Sequence, residues 1–562
     1  MLNTGTCNNF TIGCNQKDKL GLLNFKQRVI DLSGVLSSWN PDQDCCQWRR
    51  VNCDHITGRV TRLNLPCSIH LFLLLVELEF LNYLNLSNND FLTLQFDSIH
   101  QNCHNLSERN FAKLSKLKTL AIYSSPPLIF DCDSHWVPLF QLERLALGFA
   151  GPNLPEWLYT QRYLKRLSIF DSSFVAKSKF WNFVSRVSEL DLEYNLIVGN
   201  LSNNVLLNSS FVSLTSNDLK GSLSRLSSNV AIFDASNNSL SGTIFPLLCD
   251  HKMLNGKGSL IYLDITRNNL SGELTNCWKN WKSLIHVNLG SNNLTGKIPS
   301  SMGSLFSLTS LHLHENNLYG TIPTSLQNCH SLLIFNVHEN NLSGNIPDWI
   351  PHDVRVLQLR SNNFSGNIPT QISSLVFNNA SESSLYFSFA LSNSLTYFFG
   401  DSLELVTKGR VSEYRTNLHF MTLIDMSSNN LFGTVPPQMF SLVGLCSLNF
   451  LESLDLSTNQ FWGEIPQVSY IGNPDLCGPP LTKICWQDGE HKDSKPIDED
   501  EDKDEFLSWF YIGIESGFVT GFLGVSCALF FNRKWRHAYF RFLYNMRNRF
   551  YVMVLIKMNS SR

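Results

Sequence analysis

The 562-residue sequence predicts an α/β solenoid whose short parallel strands line a concave face, with cysteine-bearing ends, one insertion and one C-terminal transmembrane helix. Three observations predict it. The register L-x-x-L-x-L-x-x-N-x-L-x-G-x-I-P recurs, with Asn268, Asn292, Asn316 and Asn340 each 24 residues apart. Cysteines cluster at both ends of that repeat region: Cys14, Cys45, Cys46 and Cys53 early, Cys477 and Cys485 late. The single long apolar run, 506–531, stands between blocks of opposite charge near the C-terminus.

The repeat is clearest at Leu284/Val287/Leu289/Asn292/Leu294/Gly296/Ile298/Pro299 and again at Leu308/Leu311/Leu313/Asn316/Leu318/Gly320/Ile322/Pro323. It continues through Asn340 and Asn362, with earlier copies at Asn89, Asn195, Asn217 and Asn238 and degenerate ones at Leu117, Leu142 and Leu164, about fifteen units in all. In x-L-x-L-x the leucines alternate inward on a strand and the x positions face the other side. One unit cannot bury its leucines alone, so neighbours stack. The asparagine side chain both donates and accepts, which suits a buried turn that strands backbone groups. Glycine permits the turn, and proline is expected to stop helix formation on the outer face.

The L-x-G-x-I-P extension is similar to plant-type leucine-rich repeats, and the ends extend the likeness. Cys14 to Lys26 (CNQKDKLGLLNFK), with Ser38-Trp39 and Asp44-Cys45-Cys46-Gln47-Trp48, resembles the N-terminal cap of plant leucine-rich-repeat receptor-like proteins. Tyr470 to Leu481 (YIGNPDLCGPPL) resembles their C-terminal cap, and Trp535 to Phe540 (WRHAYF) their short tail. The likeness covers nearly the whole chain and is strongest to the kinase-less branch that includes fungal-xylanase elicitor receptors. It implies a leucine-rich-repeat solenoid that binds an extracellular protein, peptide or glycan elicitor and signals through a partner receptor-like kinase in plant defence. The alternatives are an extracellular inhibitor of microbial wall-degrading enzymes and a truncated decoy. The expected organisation is a cap over 1–59, repeats over 60–373, an insertion over 374–420, shortened repeats over 421–466 and a second cap over 467–487. An acidic segment 488–505, a membrane helix 506–531 and a basic tail 532–562 complete it.

The insertion follows from spacing, since 67 residues separate Asn362 from Asn429 where one repeat has 24. It resembles the family's island domain, whose recurring motif Lys408, Gly409, Arg410 and Tyr414 match; they are read as ligand contacts or as a strand packing the island. Asn429 to Asn459 spans 30 residues, and Leu445 to Phe450 runs straight into Leu451 to Leu456 as though a unit were lost. Two repeats then follow the island where relatives have four, in the region where the family's co-receptors dock.

The concave face supplies the candidate ligand site. Positions 24 apart stack in register, placing His314 beside His338 and Glu315 beside Glu339, with Arg360 next; His286, Asn288, His312, Asn336 and Gln358 share that face. With strands about 4.8 Å apart, His314 and His338 reach one ligand. The other reading is an ordinary solvated polar face. No metal is assigned, because two His and two Glu on an open sheet lack enclosure. Asp264, Asp425 and Asp455 fall at strand x positions and are expected to be exposed. Cys329 and Cys527 read as isolated buried thiols.

The run from Phe506 to Phe531 carries one charge, Glu515, and as a helix reaches about 39 Å, enough to span a bilayer. Ten acids and three lysines precede it; eight Lys or Arg and no acid follow. Basic flanks stay inside, so the chain is expected to be a single-pass plasma-membrane protein with its C-terminus in the cytosol. Gly513, Gly517 and Gly521 form one small-residue face for association with a partner helix. The outward topology requires secretion, yet Met1 to Phe10 shows no leader, which implies a start inside a longer reading frame or a lost first exon. Acceptors for N-linked glycans stand at Asn9, Asn85, Asn105, Asn200, Asn208, Asn237, Asn269, Asn293, Asn341, Asn363 and Asn379.

Composition removes other classes. At 43% hydrophobic residues the chain is no disordered tail, and a net charge of −3 lacks the basic surface that nucleic acid requires. No G-x-S-x-G or phosphate-binding loop interrupts the repeat register, so neither an enzyme nor a cofactor is expected.

Overall fold

A computed structural model describes residues 13–27, 30–31, 34–65, 69–70, 78–89, 104–130, 132–150, 154–201, 206–223, 225–249, 258–351, 353–374, 386–391, 395–400, 403–407, 410–414, 423–436, 453–464 and 475–477. The chain divides into Met1–Cys485 and Trp486–Arg562, and all described residues belong to the first unit.

The N-terminal helix Gln16–Gln27 opens on Asn15, whose side chain accepts from the Lys17 N–H at 3.0 Å. Asp18, fully buried on that helix, accepts from Val60 N–H at 2.8 Å and pairs with Arg59 at 2.9 Å. These bonds tie the helix to the second strand of the main sheet. Disulfides Cys14–Cys45 and Cys46–Cys53 close the same segment, and Trp39 stacks on Trp48 with ring centroids 5.4 Å apart.

The main sheet begins as an antiparallel pair, Val51–Cys53 with Val60–Asn64, and is parallel thereafter. It advances one strand per repeat through Tyr83–Asn89, Thr119–Phe130, Arg144–Ala150, Arg166–Phe170, Glu189–Asp191, Phe211–Ser213, Ile232–Asp234 and Tyr262–Asp264. His286–Asn288, Ser310–His312, Ile334–Asn336 and Val356–Gln358 continue it. The central residue of each strand, such as Val287, Leu311 or Leu357, is fully buried, so the sequence alternation is realised as one continuous core.

After Gln358 the next ladder strand is Leu423–Asp425, paired directly as Val356↔Leu423 and Gln358↔Asp425. The chain between them includes two antiparallel hairpins, Tyr386–Leu391 with Leu395–Gly400 and Leu403–Thr407 with Arg410–Tyr414. The ladder then passes to Ser453–Asp455 across the 30-residue step without a change of register.

The L-x-G-x-I-P half of each unit builds a second, nine-stranded parallel sheet running from Ser241–Gly242 to Asp475–Cys477. Its glycines hold left-handed backbone, with φ of 83° at Gly320. Proline opens a helical turn where it was expected to stop one. Pro299 and Pro323 cap the 3-10 turns Ser300–Ser304 and Thr324–Asn328, because a fixed φ and a missing N–H cost nothing at a helix start.

The ladder asparagines join successive repeats. Asn316 Nδ2 donates to the carbonyls of Leu289 at 3.1 Å, Leu313 at 3.2 Å and His314 at 2.9 Å, while its Oδ1 accepts from Leu294 N–H at 2.9 Å. Asn292, Asn340, Asn362, Asn429 and Asn459 repeat the scheme. The residue before each lies in left-handed backbone, with φ of 48° at Ser291, 50° at Glu315 and 54° at Glu339. That conformation costs a non-glycine residue about 1–2 kcal/mol. It is offset where the same residue's N–H reaches the next repeat, as in Glu315 N–H to His338 O at 2.9 Å.

Asn316→Ala strands three carbonyls and one N–H and is expected to cost about 2–4 kcal/mol. Asn316→Asp, which keeps the acceptor but sets a carboxylate against three carbonyls, should be at least as damaging. Thermal unfolding of the secreted chain, with the exposed Gln327→Ala as control, measures both; an aspartate variant as stable as wild type would refute the ladder's donor role.

Candidate functional site

Parallel pairing sorts the concave side chains into columns. One column runs Phe211, Ile232, Tyr262, His286, Ser310, Ile334, Val356 and Leu423. The next runs Asp191, Ser213, Asp234, Asp264, Asn288, His312, Asn336, Gln358, Asp425 and Asp455. Two residues further along each chain lie Glu193, Thr215, Ser236, Thr266, Gly290, His314, His338, Arg360 and Ser427.

Most of these positions are enclosed. His286, Asn288, His312, His338 and Gln358 are buried, His314 and Arg360 are half-buried, and Glu315 and Glu339 are exposed. The expectation of exposed carboxylates fails at Asp264 and Asp425, both buried, while Asp455 is half-buried. Side chains stacked strand upon strand cover one another, and each Asp accepts locally. Asp264 Oδ1 takes the Thr266 N–H at 2.9 Å, and Asp425 Oδ1 takes the Ser427 N–H at 3.0 Å.

A diagonal of rings crosses the columns. Tyr262 stacks on His286 at 4.3 Å, His286 lies 5.5 Å from His312, His312 lies 6.1 Å from His314, and His314 stacks on His338 at 4.9 Å. The His314 ring occupies the space a side chain at 290 would fill, since a Cβ on Gly290 would sit 2.2 Å from its Cε1. The Asn336 amide orders the last two rings. Its Oδ1 lies 2.7 Å from His338 Nδ1 and its Nδ2 lies 3.4 Å from His314 Nδ1. One amide thus meets a ring nitrogen of each histidine and fixes the orientation of both rings.

Charge frames the diagonal. His338 Nε2 is 3.7 Å from Glu315, which also accepts from Ser291 Oγ at 2.7 Å. Arg360 pairs with Glu339 at 2.6 Å and reaches Asp425 at 4.0 Å. The His338 contact holds the Glu315 carboxyl down at about 2. Burial first, and then the neighbouring His338 and His312, lower His314 to about 3. At the N-terminal side the trend reverses. Burial, with Asp191 and Asp234 close by, raises Glu193 to about 8, and burial with Asp234 raises Asp264 to about 7. The face thus joins an acid-rich half to a half of imidazole, amide and guanidinium donors, suited to reversible recognition of a polar ligand. Ser310 Oγ and His312 Nε2 lie 2.6 Å apart, but both residues are buried and present no nucleophile to solvent.

The remaining predicted residues divide by position. Cys14, Cys45, Cys46 and Cys53 pair as described above, and Cys329 is a buried free thiol raised to about 11 by that burial. A third disulfide, Cys249–Cys277, was not foreseen; its partners are 28 residues apart in adjoining repeats, a spacing close to the repeat length that was its one signal. Asn200, Asn208, Asn237, Asn269, Asn293, Asn341 and Asn363 are exposed and Asn85 is half-buried. Arg410 and Tyr414 end one strand of the second hairpin, paired with Thr407 and Leu403. Lys408, Gly409, Cys485, Cys527, Asn9, Asn379, Gly513, Gly517 and Gly521 lie outside the described residues, as do the side chains of Asn105 and Cys477. No helix among the described residues is long and apolar enough to cross a membrane, and 506–531 is not among them.

Family comparison places this geometry. Residues 15–54 match the leucine rich repeat N-terminal domain, and 283–305, 307–329 and 353–375 match the Leucine Rich Repeat. Receptor-like protein EIX2 of Solanum lycopersicum is 33% identical over 540 residues, covering 79% of this chain and 52% of that protein. Receptor-like protein 6 of Arabidopsis thaliana is 30% identical over 282 residues, covering 42% of this chain and 27% of that protein. This chain therefore spans about half the length of the first and about a quarter of the second. The crystal structure of PEPR1-AtPEP1 shares the fold, with a TM-score of 0.55 at 23% identity, covering 80% of this chain and 60% of that one.

The acid-rich half yields a prediction. Glu193, ordinarily near 4.5 and raised to about 8, holds in the folded state a proton that the unfolded chain has released. Its contribution to stability is whole below about pH 4.5 and is lost as pH rises toward 8. Glu193→Gln should therefore match wild type in Tm at pH 4.5 and exceed it at pH 8. A Tm difference that is the same at both values would show that burial does not hold this proton.

Proposed function

On the premise that the chain is a leucine-rich-repeat protein, not an enzyme, with plant receptor-like proteins as its relatives, we propose that it is a cell-surface receptor-like protein without a kinase. It binds an extracellular elicitor or peptide on the concave face and signals in defence through a partner receptor kinase. The observation that carries the reading is the ring diagonal from Tyr262 to His338, flanked by Asn336, Gln358 and Arg360. Stacking asks of most positions on that face only that the side chain fit its neighbours. Here five rings in contact, one amide meeting two of them and a glycine leaving room for His314 form a constellation that stacking of repeats does not itself require.

The membrane part of the proposal rests on residues 506–531, whose length and basic C-terminal flank suit a single span with 532–562 in the cytosol. The glycines at 513, 517 and 521 would meet the helix of the partner kinase, and the hairpin bearing Arg410 and Tyr414 offers a second contact for ligand or co-receptor.

Two outcomes test this reading. In plant cells, with a working signal peptide added, Asn293 should carry glycan and Asn559 should not; glycan on Asn559 would overturn the orientation. Proteins and peptides of an elicited apoplastic wash retained by the wild-type chain should be lost from His314→Ala/His338→Ala at equal surface level. Identical retention by both would move the ligand away from this face.

A further inference from the structure

We propose that Tyr319 is the platform for the first sugar of an N-linked glycan on Asn341. The inference rests on the extracellular placement proposed above but concerns the second sheet, not the ligand face. In that sheet each repeat turns outward its first residue and the residue two further on. The pattern runs Asn269-Leu270-Ser271, Asn293-Leu294-Thr295, Asn317-Leu318-Tyr319, Asn341-Leu342-Ser343, Asn363-Phe364-Ser365, Asn430-Leu431-Phe432 and Gln460-Phe461-Trp462. The middle residue is buried in every case. Among these seven triplets, those whose third residue is Ser or Thr are glycan acceptors, and the other three hold an exposed aromatic there: Tyr319, Phe432 or Trp462.

Register decides which aromatic meets an acceptor. The third residue of one repeat pairs with the first residue of the next, as Ser271↔Asn293, Thr295↔Asn317, Tyr319↔Asn341, Ser343↔Asn363 and Phe432↔Gln460. Tyr319 is thus the one aromatic among the described residues set against an acceptor asparagine. Phe432 faces Gln460, which carries no glycan. Direct partners on parallel strands point the same way about 4.8 Å apart, so a sugar carried by Asn341 projects from the sheet beside the Tyr319 side chain. The C–H bonds on one face of an N-acetylglucosamine carry slight positive charge and meet the negative face of the phenol, while apolar surface on both leaves water. The acceptor strand is held in place, because Leu342 is fully buried and its N–H donates to Asn362 Oδ1 at 3.0 Å. Asn341 and Tyr319 are both exposed, so the folded sheet leaves both side chains open to the sugar.

The experiment is a double-mutant cycle on the full chain secreted from glycosylating cells, with occupancy at each acceptor read by glycopeptide mass spectrometry. Tyr319→Ala is measured with the acceptor intact and with Ser343→Ala, which removes the glycan and keeps Asn341. The Tm loss from Tyr319→Ala should be at least twofold larger when Asn341 is glycosylated, should persist after trimming to the single first sugar, and should be largely absent for Tyr319→Phe. Phe432→Ala, the aromatic without a glycan partner, should give the same loss in both backgrounds. Equal losses from Tyr319→Ala with and without glycan would overturn the proposal. Occupancy elsewhere with Asn341 bare would overturn it while leaving the extracellular reading intact, whereas glycan at no acceptor would remove both.

Discussion

From Asn195 to Asn459 the solenoid depends on the asparagine at the turn of each repeat. A solenoid of short strands must change direction inside its own stack, and every such turn buries carbonyls and amides that the strands cannot pair. One amide side chain per repeat resolves this, giving its two hydrogens to three carbonyls and taking one N–H from the preceding unit. The bonds run between repeats as well as within them, so the ladder sets the spacing of the coil. It also accounts for the left-handed residue before each asparagine, whose N–H bonds the following repeat.

Once spacing is fixed, the concave face follows as a consequence of translation. Each repeat position lies against its counterpart a strand away, so where neighbouring repeats carry similar groups those groups meet. In the N-terminal half Asp234 and Asp264 stand side by side and burial raises both carboxyls; in the next half His314 stacks on His338 and burial lowers His314. Asn336 converts that crowding into order by meeting a ring nitrogen of both His314 and His338. A face built this way is preorganised, since its donors and acceptors are held before any ligand arrives.

Repetition also tolerates interruption. The ladder strand Val356–Gln358 pairs Leu423–Asp425 as though the intervening chain were absent, and Asn429 still donates to Leu359 O at 3.0 Å. Nearest-neighbour stacking explains this, because each unit needs only the edge of the one before it. An insertion that returns the chain to that edge leaves the core unaltered.

The sequence by itself determined the repeat, the inward leucines, the turn asparagines and the end cysteines, because each recurs at fixed spacing and has one physical use. It determined the composition of the concave face too, including the adjacency of His314 and His338, since equal spacing in a parallel stack means contact. Only the tertiary structure decided burial. Asp264 and Asp425 read as exposed by alternation, yet side chains on successive strands close over them. It alone joined Cys249 to Cys277, revealed that Pro299 and Pro323 begin turns, and set Tyr319 against Asn341. The reason is common to all four. Spacing along the chain specifies which neighbours each residue will have, whereas exposure, sulfur pairing and cross-strand partnership depend on where the second sheet and the outer turns place groups from the adjoining unit.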